Sequence, residues 1–245
     1  MMPVRRALMG VLPLLMLTVP VMVGCGSNAP PGGSPPTSPP ATTTSPTPTT
    51  TPAPTPSATT PAAMPGWTAV SSRVAYQWHW PGSGPVTVTH TYRVPPVAEL
   101  VAVGAGNHPS DPGDRPYNRM SFSFTTAYPS YSFQYVDRLV ADGSGEPVPL
   151  AGSGVLRVVF NPAQAHTQDG TASSIRSQPP AHLGMSRMVA YAQAGDFEGY
   201  VSYGIGIAWP NPGSNPQIAV RVYEVTYVNG QGAHRYVVAF DIDAR

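Results

Sequence analysis

Arg73-Val74-Ala75-Tyr76-Gln77-Trp78-His79-Trp80 decides the class of this chain. Val74, Tyr76, Trp78 and Trp80 fall on one side of an extended backbone and Arg73, Ala75, Gln77 and His79 on the other, the two-residue period of a half-buried strand. Pro81-Gly82-Ser83-Gly84-Pro85 breaks the run, after which Val86, Val88, His90, Tyr92 and Val94 alternate with Thr87, Thr89, Thr91 and Arg93. The two runs predict a hairpin. Similar strand character recurs over 99–103, 120–125, 131–140, 155–160, 187–193, 197–209, 218–228 and 235–242, punctuated by Gly and Pro and without helical periodicity. About ten strands so spaced predict an all-β domain, a β-sandwich or a partly open barrel. Residues 161–183 are the longest stretch without strand character, read as a loop with at most a turn of helix.

Ahead of this domain the composition changes twice. Arg5 and Arg6 precede an uncharged apolar run over residues 7–23, which predicts a secretion signal at residues 1–24. Cys25, the one cysteine of 245 residues, ends the stretch Met22-Val23-Gly24-Cys25. Those four residues resemble the lipobox of bacterial lipoproteins, whose cysteine is acylated and becomes the mature N-terminus. The alternatives are a plain signal peptide or an uncleaved anchor interrupted by Pro13 and Pro20, although the run is short of the roughly 20 residues a spanning helix needs. Acylation of Cys25 with two or three chains would meet the requirement for stable anchoring, at about 0.8 kcal/mol per buried methylene. Residues 25–65 are almost wholly Pro, Thr, Ser, Ala and Gly, with no charge between Arg6 and Arg73. They predict a disordered linker, extended at about 3.1 Å per residue. The expected location is the extracytoplasmic face of the cell membrane, with the linker reaching into the wall and its Thr-rich part, 42–60, open to O-glycosylation.

Residues 66–245 are expected to form one domain. Two of the thirteen basic residues are Arg5 and Arg6, which leaves eleven arginines against twelve carboxylates, and there is no lysine. A near-neutral surface without basic runs excludes nucleic acid as the expected partner. With no cysteine in the domain, packing and not disulfides must stabilise it. The use of Arg without Lys is read as coding bias rather than chemistry.

A family resemblance rests on motifs from Arg115 onward. Arg115-Pro116-Tyr117-Asn118-Arg119 leads into Met120-Ser121-Phe122-Ser123-Phe124, followed by Tyr128-Pro129-Ser130-Tyr131-Ser132-Phe133-Gln134-Tyr135-Val136. Pro149-Leu150-Ala151-Gly152-Ser153-Gly154 comes next, then Gly195-Asp196-Phe197-Glu198-Gly199, Val201-Ser202-Tyr203-Gly204-Ile205-Gly206 and Phe240-Asp241-Ile242. This order resembles the AMIN-like domain of actinobacterial lipoproteins over residues 98–245, with Asn118 where an acidic residue is expected. The related AMIN domains are β-sandwich modules that localise amidases and secretion proteins by binding the cell wall. The resemblance implies a recognition role without chemistry of its own, with the Trp-rich 73–94 region as an added pair of strands or a lid.

The residues offer little catalysis. There is no Gly-x-Ser-x-Gly elbow and no His-Glu-x-x-His. Asn107-His108-Pro109-Ser110-Asp111-Pro112-Gly113-Asp114 has ligands for a hard cation but lacks a recognisable calcium spacing, and reads as a solvated turn. No metal or cofactor is expected. Asp196 and Glu198 suggest the paired carboxylates of a glycosidase, but Asp196 reads as a turn residue ahead of the strand, and Glu198 as a partner for an arginine such as Arg119. Tyr131, Phe133 and Tyr135 share one face, as do Phe197, Val201, Tyr203, Ile205, Ile207 and Trp209, and at least one stripe must be core. Tyr117, Tyr128 and Tyr200 are expected at the surface, and with Arg119 and Glu198 they make up the candidate ligand-binding set. The leading expectation is a surface lipoprotein binding envelope glycan, peptidoglycan foremost. An adaptor for a surface protein is the alternative, and a glycan hydrolase is a distant third.

Overall fold

Phe122, Phe124 and Phe240 come from one side of the molecule and Tyr131, Phe133, Phe160 and Tyr203 from the other, and they meet in one buried aromatic cluster. Ring centroids lie 4.9 Å apart for Phe122–Phe160 and Phe124–Phe160, and 5.4 Å for Phe133–Phe240. Each ring sits on a strand whose alternate residues face away, so the cluster forms only if two sheets close on each other. The computed structural model describes residues 64–82, 84–91, 94–109, 111–210 and 217–245. The expected signal peptide, Cys25 and nearly all of the expected linker lie outside the described residues.

Eleven strands form among the described residues: β1 Trp67–His79, β2 Val86–Val88, β3 Ala98–His108, β4 Tyr117–Phe124, β5 Ser130–Val136, β6 Gly154–Asn161, β7 Ala163–Gln164, β8 Met188–Phe197, β9 Tyr200–Ile207, β10 Val220–Asn229 and β11 His234–Asp243. They build a six-stranded sheet in the order β1-β10-β11-β4-β3-β7 and a five-stranded sheet in the order β2-β5-β6-β9-β8. The result is the all-β sandwich expected. Both aromatic stripes contribute to its core, with Tyr131, Phe133, Val201, Tyr203, Ile205 and Ile207 all buried.

Three local expectations fail, each for a physical reason. The 73–94 hairpin does not form: β1 pairs antiparallel with β10, whereas β2 pairs with β5 in the other sheet. The Pro-Gly segment between them therefore leads from one sheet to the other. The 197–209 run is also two strands' worth, because Glu198 and Gly199 both take positive φ, 50° and 80°, and turn the chain between Phe197 and Tyr200. This puts Asp196 within β8. Finally, 161–183 is not free of strand. Its β7 lies parallel to β3, and further along Arg176 and Val103 exchange backbone bonds with Val101 and Ser177 at 2.9 and 3.0 Å. It covers the edge strand with backbone, which needs no sequence period.

Register shifts in β1 between Val74 and Tyr76 and between Tyr76 and His79 break its two-residue period. Tyr76 thus packs edge-on to Phe133 in the core, 5.2 Å between centroids, while Trp78 reaches the outer face of the six-stranded sheet. Bulges re-aim side chains in this way.

Residues 137–153 fold over part of the five-stranded sheet's outer face. Leu139, Val155 and Ala194 form a small apolar cluster there. The approach is close because the strand beneath is glycine-rich: a Cβ on Gly204 would lie 2.6 Å from Leu139 Cδ2, and one on Gly206 would run into the Ala151 carbonyl oxygen. Gly206→Ala is therefore expected to lower stability by about 1–3 kcal/mol, as overpacking does. Gly84→Ala, where a Cβ meets nothing, should change stability by less than about 0.5 kcal/mol in the same urea titration.

Candidate functional site

The sequence-derived candidates separate into three places. Tyr117 and Arg119 lie on β4, facing the outer side of the six-stranded sheet, and both are buried, so neither offers the exposed surface expected of Tyr117. Arg119 donates from Nε and Nη2 to the two carboxylate oxygens of Asp241, at 2.6 and 2.9 Å. Arg221 approaches the same carboxylate from β10 with Nε and Nη2 at 3.0 and 2.8 Å, and its Nη1 lies 2.5 Å from Asp114 Oδ2. Aromatic rings alternate with these guanidiniums. The Trp78 ring lies 4.7 Å from Arg115 and 4.4 Å from Arg221, and Tyr223 lies 4.6 Å from Arg221 and 5.5 Å from Arg119. Planar guanidiniums suit both the bidentate pairing and the stacking, so Arg has a chemical use here that lysine could not fill. The expected Arg119–Glu198 pairing does not occur.

The acidic 107–114 stretch belongs to the same construction. Asp111 accepts from the Tyr117 hydroxyl at 2.6 Å and contacts His108 Nδ1 at 3.1 Å, and the His108 ring stacks on Tyr117. The Tyr117 bond holds the Asp111 carboxyl below its usual range, while burial pushes the Tyr117 phenol well above its own. Among the described residues no group of three or more His, Cys, Asp or Glu is placed to hold a metal ion. Asn118, where the resemblance leads one to expect an acid, is wholly buried. Its Oδ1 accepts the backbone amides of Arg187 and Met188, both at 2.9 Å, and its Nδ2 donates to Asn107.

Tyr128 stands at the edge between the sheets, half-buried. Its hydroxyl bonds Thr226 Oγ1 at 3.0 Å, its ring stacks on His90, and burial raises its phenol to about 12. Beneath it the Glu224 carboxylate is enclosed, accepting from Arg73 Nε at 2.6 Å and Tyr131 Oη at 2.8 Å and contacting His90 Nε2 at 2.8 Å. The adjoining hollow, about 180 Å³ and lined by Ser71, Ser72, Arg73, Tyr128 and Glu224, is small and its charge is internally paired.

Glu198 and Tyr200 are the candidates that open onto usable space. Phe197 and Tyr200 are cross-strand partners at the β8–β9 tip, 68% and 49% exposed. They border a groove of about 450 Å³ on the outer face of the five-stranded sheet, with Ser132, Asp142, Gly143, Arg157, Val159 and Glu198. A second hollow of about 190 Å³ shares Ser132, Val159 and Tyr200 with it and adds Thr87, Ser130, Tyr131 and Asn161. Together they form a trough across the sheet with Tyr200 between its halves. Asp142 is held by Ser202 Oγ at 2.6 Å, Arg157 Nη2 at 2.9 Å and its own amide bond to the Ala194 carbonyl at 2.9 Å. Arg157 Nε is buried without a partner. Asn161 Nδ2 steadies the hairpin turn through the Gly199 carbonyl at 3.1 Å. Asp196 takes no part: its carboxylate binds the Ala165 amide and the His166 ring, both at 2.9 Å, so the pair suggested by sequence is not a pair in space.

Sequence reasoning placed Phe197 in a core stripe and missed Arg157, Asp142 and Asn161. A signal existed for two of these. Glu-Gly between two aromatics fits a two-residue turn, and Arg157 interrupts Val155-Leu156-x-Val158-Val159 at an outward position.

Residues 98–215 match the AMIN-like domain. The match spans β3 to β9, including most of the trough, whereas β1, β10 and β11, which complete the six-stranded sheet, lie beyond it. No curated protein and no solved structure matches the chain. AMIN-like domains are non-catalytic targeting modules associated with the cell wall.

Asp241→Asn leaves two buried guanidiniums poorly compensated and is expected to cost about 3–5 kcal/mol, measured by denaturant unfolding. Asp243 tests the acid side. Burial alone would raise its carboxyl, but bonds from Arg245 and Arg115 outweigh this and hold it below the usual range. Its stabilisation is therefore full above the unfolded-state value of about 4 and is lost as pH falls through the lower folded value. Asp243→Asn should flatten the acid limb of the melting temperature against pH.

Proposed function

We propose that the AMIN-like domain this chain carries binds cell-envelope glycan, peptidoglycan foremost, through the trough on the outer face of the five-stranded sheet. In this reading Cys25 is acylated, and residues 25–65 tether the domain, 66–245, to the extracytoplasmic face of the membrane. The observation that carries the reading is the exposed Phe197–Tyr200 pair beside Arg157, Asp142, Asn161 and a row of hydroxyls. An aromatic face supports the apolar side of a sugar ring, while amide, carboxylate and guanidinium groups take its hydroxyl and acylamino substituents.

A protein adaptor calls for a broad apolar patch with a polar rim. The large hydrophobic side chains exposed among the described residues are Val70, Val94, Phe197 and Tyr200, and only the last two adjoin. This favours the glycan. A hydrolase is less well supported, since Asp142 is engaged with Arg157 and Ser202 and Asp196 faces elsewhere.

Co-sedimentation with insoluble peptidoglycan sacculi across a salt series, using non-lipidated Cys25→Ser protein, tests the reading. The protein should pellet saturably and remain bound at high salt, and the Phe197→Ala/Tyr200→Ala variant should stay in the supernatant. Equal pelleting of both would remove the trough from consideration.

A further inference from the structure

Glu198 occupies a backbone position at odds with its residue type. It is the first residue of a two-residue turn whose members have φ of 50° and 80°, a left-handed conformation that favours Asn, Asp or Gly. Its side chain is exposed, and among the described residues its carboxylate has neither a hydrogen bond nor an ion pair. The turn thus carries a bare carboxylate to the rim of the trough between Phe197 and Tyr200. The charges on that half of the trough do not cancel: Arg157 supplies one positive charge against Asp142 and Glu198, a net of −1. Arg157 is already paired with Asp142, at 2.9 Å, so the excess negative charge resides on Glu198.

A free carboxylate flanked by two exposed aromatic rings is a receptor for a cation. The carboxylate takes a charge-assisted hydrogen bond, and a ring face attracts an ammonium within about 6 Å of its centroid. Beyond Tyr200 the other half of the trough is uncharged and largely apolar, formed by Tyr131 and Val159 with Thr87, Ser130, Ser132 and Asn161. The Ser130 hydroxyl is bonded to the His90 backbone and the Asn161 amide to the Gly199 carbonyl, which leaves the hydroxyls of Thr87 and Ser132 and the Asn161 side-chain oxygen for a ligand. An uncharged floor with an apolar side and a few hydroxyls suits the face and edge of an adjoining sugar ring. We infer that the β8–β9 tip recognises the free ammonium of a hexosamine lacking its N-acetyl group, within a glycan chain whose neighbouring ring lies over the uncharged half. This rests on the glycan reading above and adds to it a preference for de-N-acetylated stretches.

The test is calorimetric titration of the non-lipidated protein with glucosamine hexasaccharide and, separately, N-acetylglucosamine hexasaccharide, near pH 6 and at moderate salt. The wild type should bind the amine form about tenfold more tightly, the gain expected of one cation–π and one charge-assisted contact. Glu198→Gln, which leaves the ring contact in place, should cut that preference to about threefold or less while retaining weak binding. Glu146→Gln, which removes an exposed carboxylate outside the trough, should leave the preference intact and so separates recognition from general attraction between a polycation and an acid. Equal affinity of the wild type for the two sugars, a preference undiminished in Glu198→Gln, or equal losses in Glu146→Gln would each overturn the inference. Binding of both sugars without preference, lost in Tyr200→Ala, would leave the trough as the glycan site. Absence of binding to either sugar and to sacculi would take down the glycan reading itself.

Discussion

Asp241 lies on β11 within the six-stranded sheet, has no access to solvent, and meets guanidiniums from the strands on both sides. A buried carboxylate is tolerable only when its lone pairs are filled, and here Arg119 and Arg221 fill them from β4 and β10. The arrangement also sets register. Arg119 and Arg221 are both the direct partners of Asp241 across the ladder, and a slip of one residue would move every charge into the hydrocarbon core. Trp78 and the 111–116 segment then have a fixed charged surface to cover, which is how β1 acquires a docking place beyond its backbone pairing.

The two outer faces of the sandwich are closed by opposite means. On the six-stranded sheet, large side chains and paired charges fill the space. On the five-stranded sheet, small residues remove it: Gly204 and Gly206 let residues 137–153 lie against the strand, and Asp142 fastens the segment through Ser202 and Arg157. Because that cover extends over only part of the sheet, its margin leaves a recess, and the unfilled remainder is the trough. The recess is therefore a by-product of where a loop stops, and Asp142 serves both the closure and the recess.

Much of the fold was legible because a buried sheet face writes itself as alternation. Met120-Ser121-Phe122-Ser123-Phe124 and Tyr131-Ser132-Phe133 carry the core on every second residue, and strands formed there, although the second ends at Val136 and not, as the pattern implied, at Val140. Pairing was harder. Nothing in the alternation of Val74, Tyr76 and Trp78 says that β10 is the partner, and the two register shifts between Val74 and His79 erase the period that the reading assumed. The candidate site was half legible for a related reason. Tyr200 was recognised as surface, but Tyr117 has the same sequence surroundings, a polar and aromatic strand end, and is buried by residues that arrive from β1 and the 111–116 segment. Whether an outward-facing residue meets solvent depends on what lies over it, which is a property of distant parts of the chain.

The bulges of β1 have a mechanical consequence. Any pull on the chain ahead of Trp67 enters the sandwich through this strand, which runs along β10 over Trp67–His79. With Tyr76 inserted among the core rings and Trp78 gripped between Arg115 and Arg221, the strand is pinned on both faces of the sheet, so it cannot peel away by losing backbone bonds one at a time. Load must instead break an apolar contact and a cation–π contact together. A domain anchored at one end and holding a rigid polymer at the other would thereby resist traction at the strand where traction first arrives.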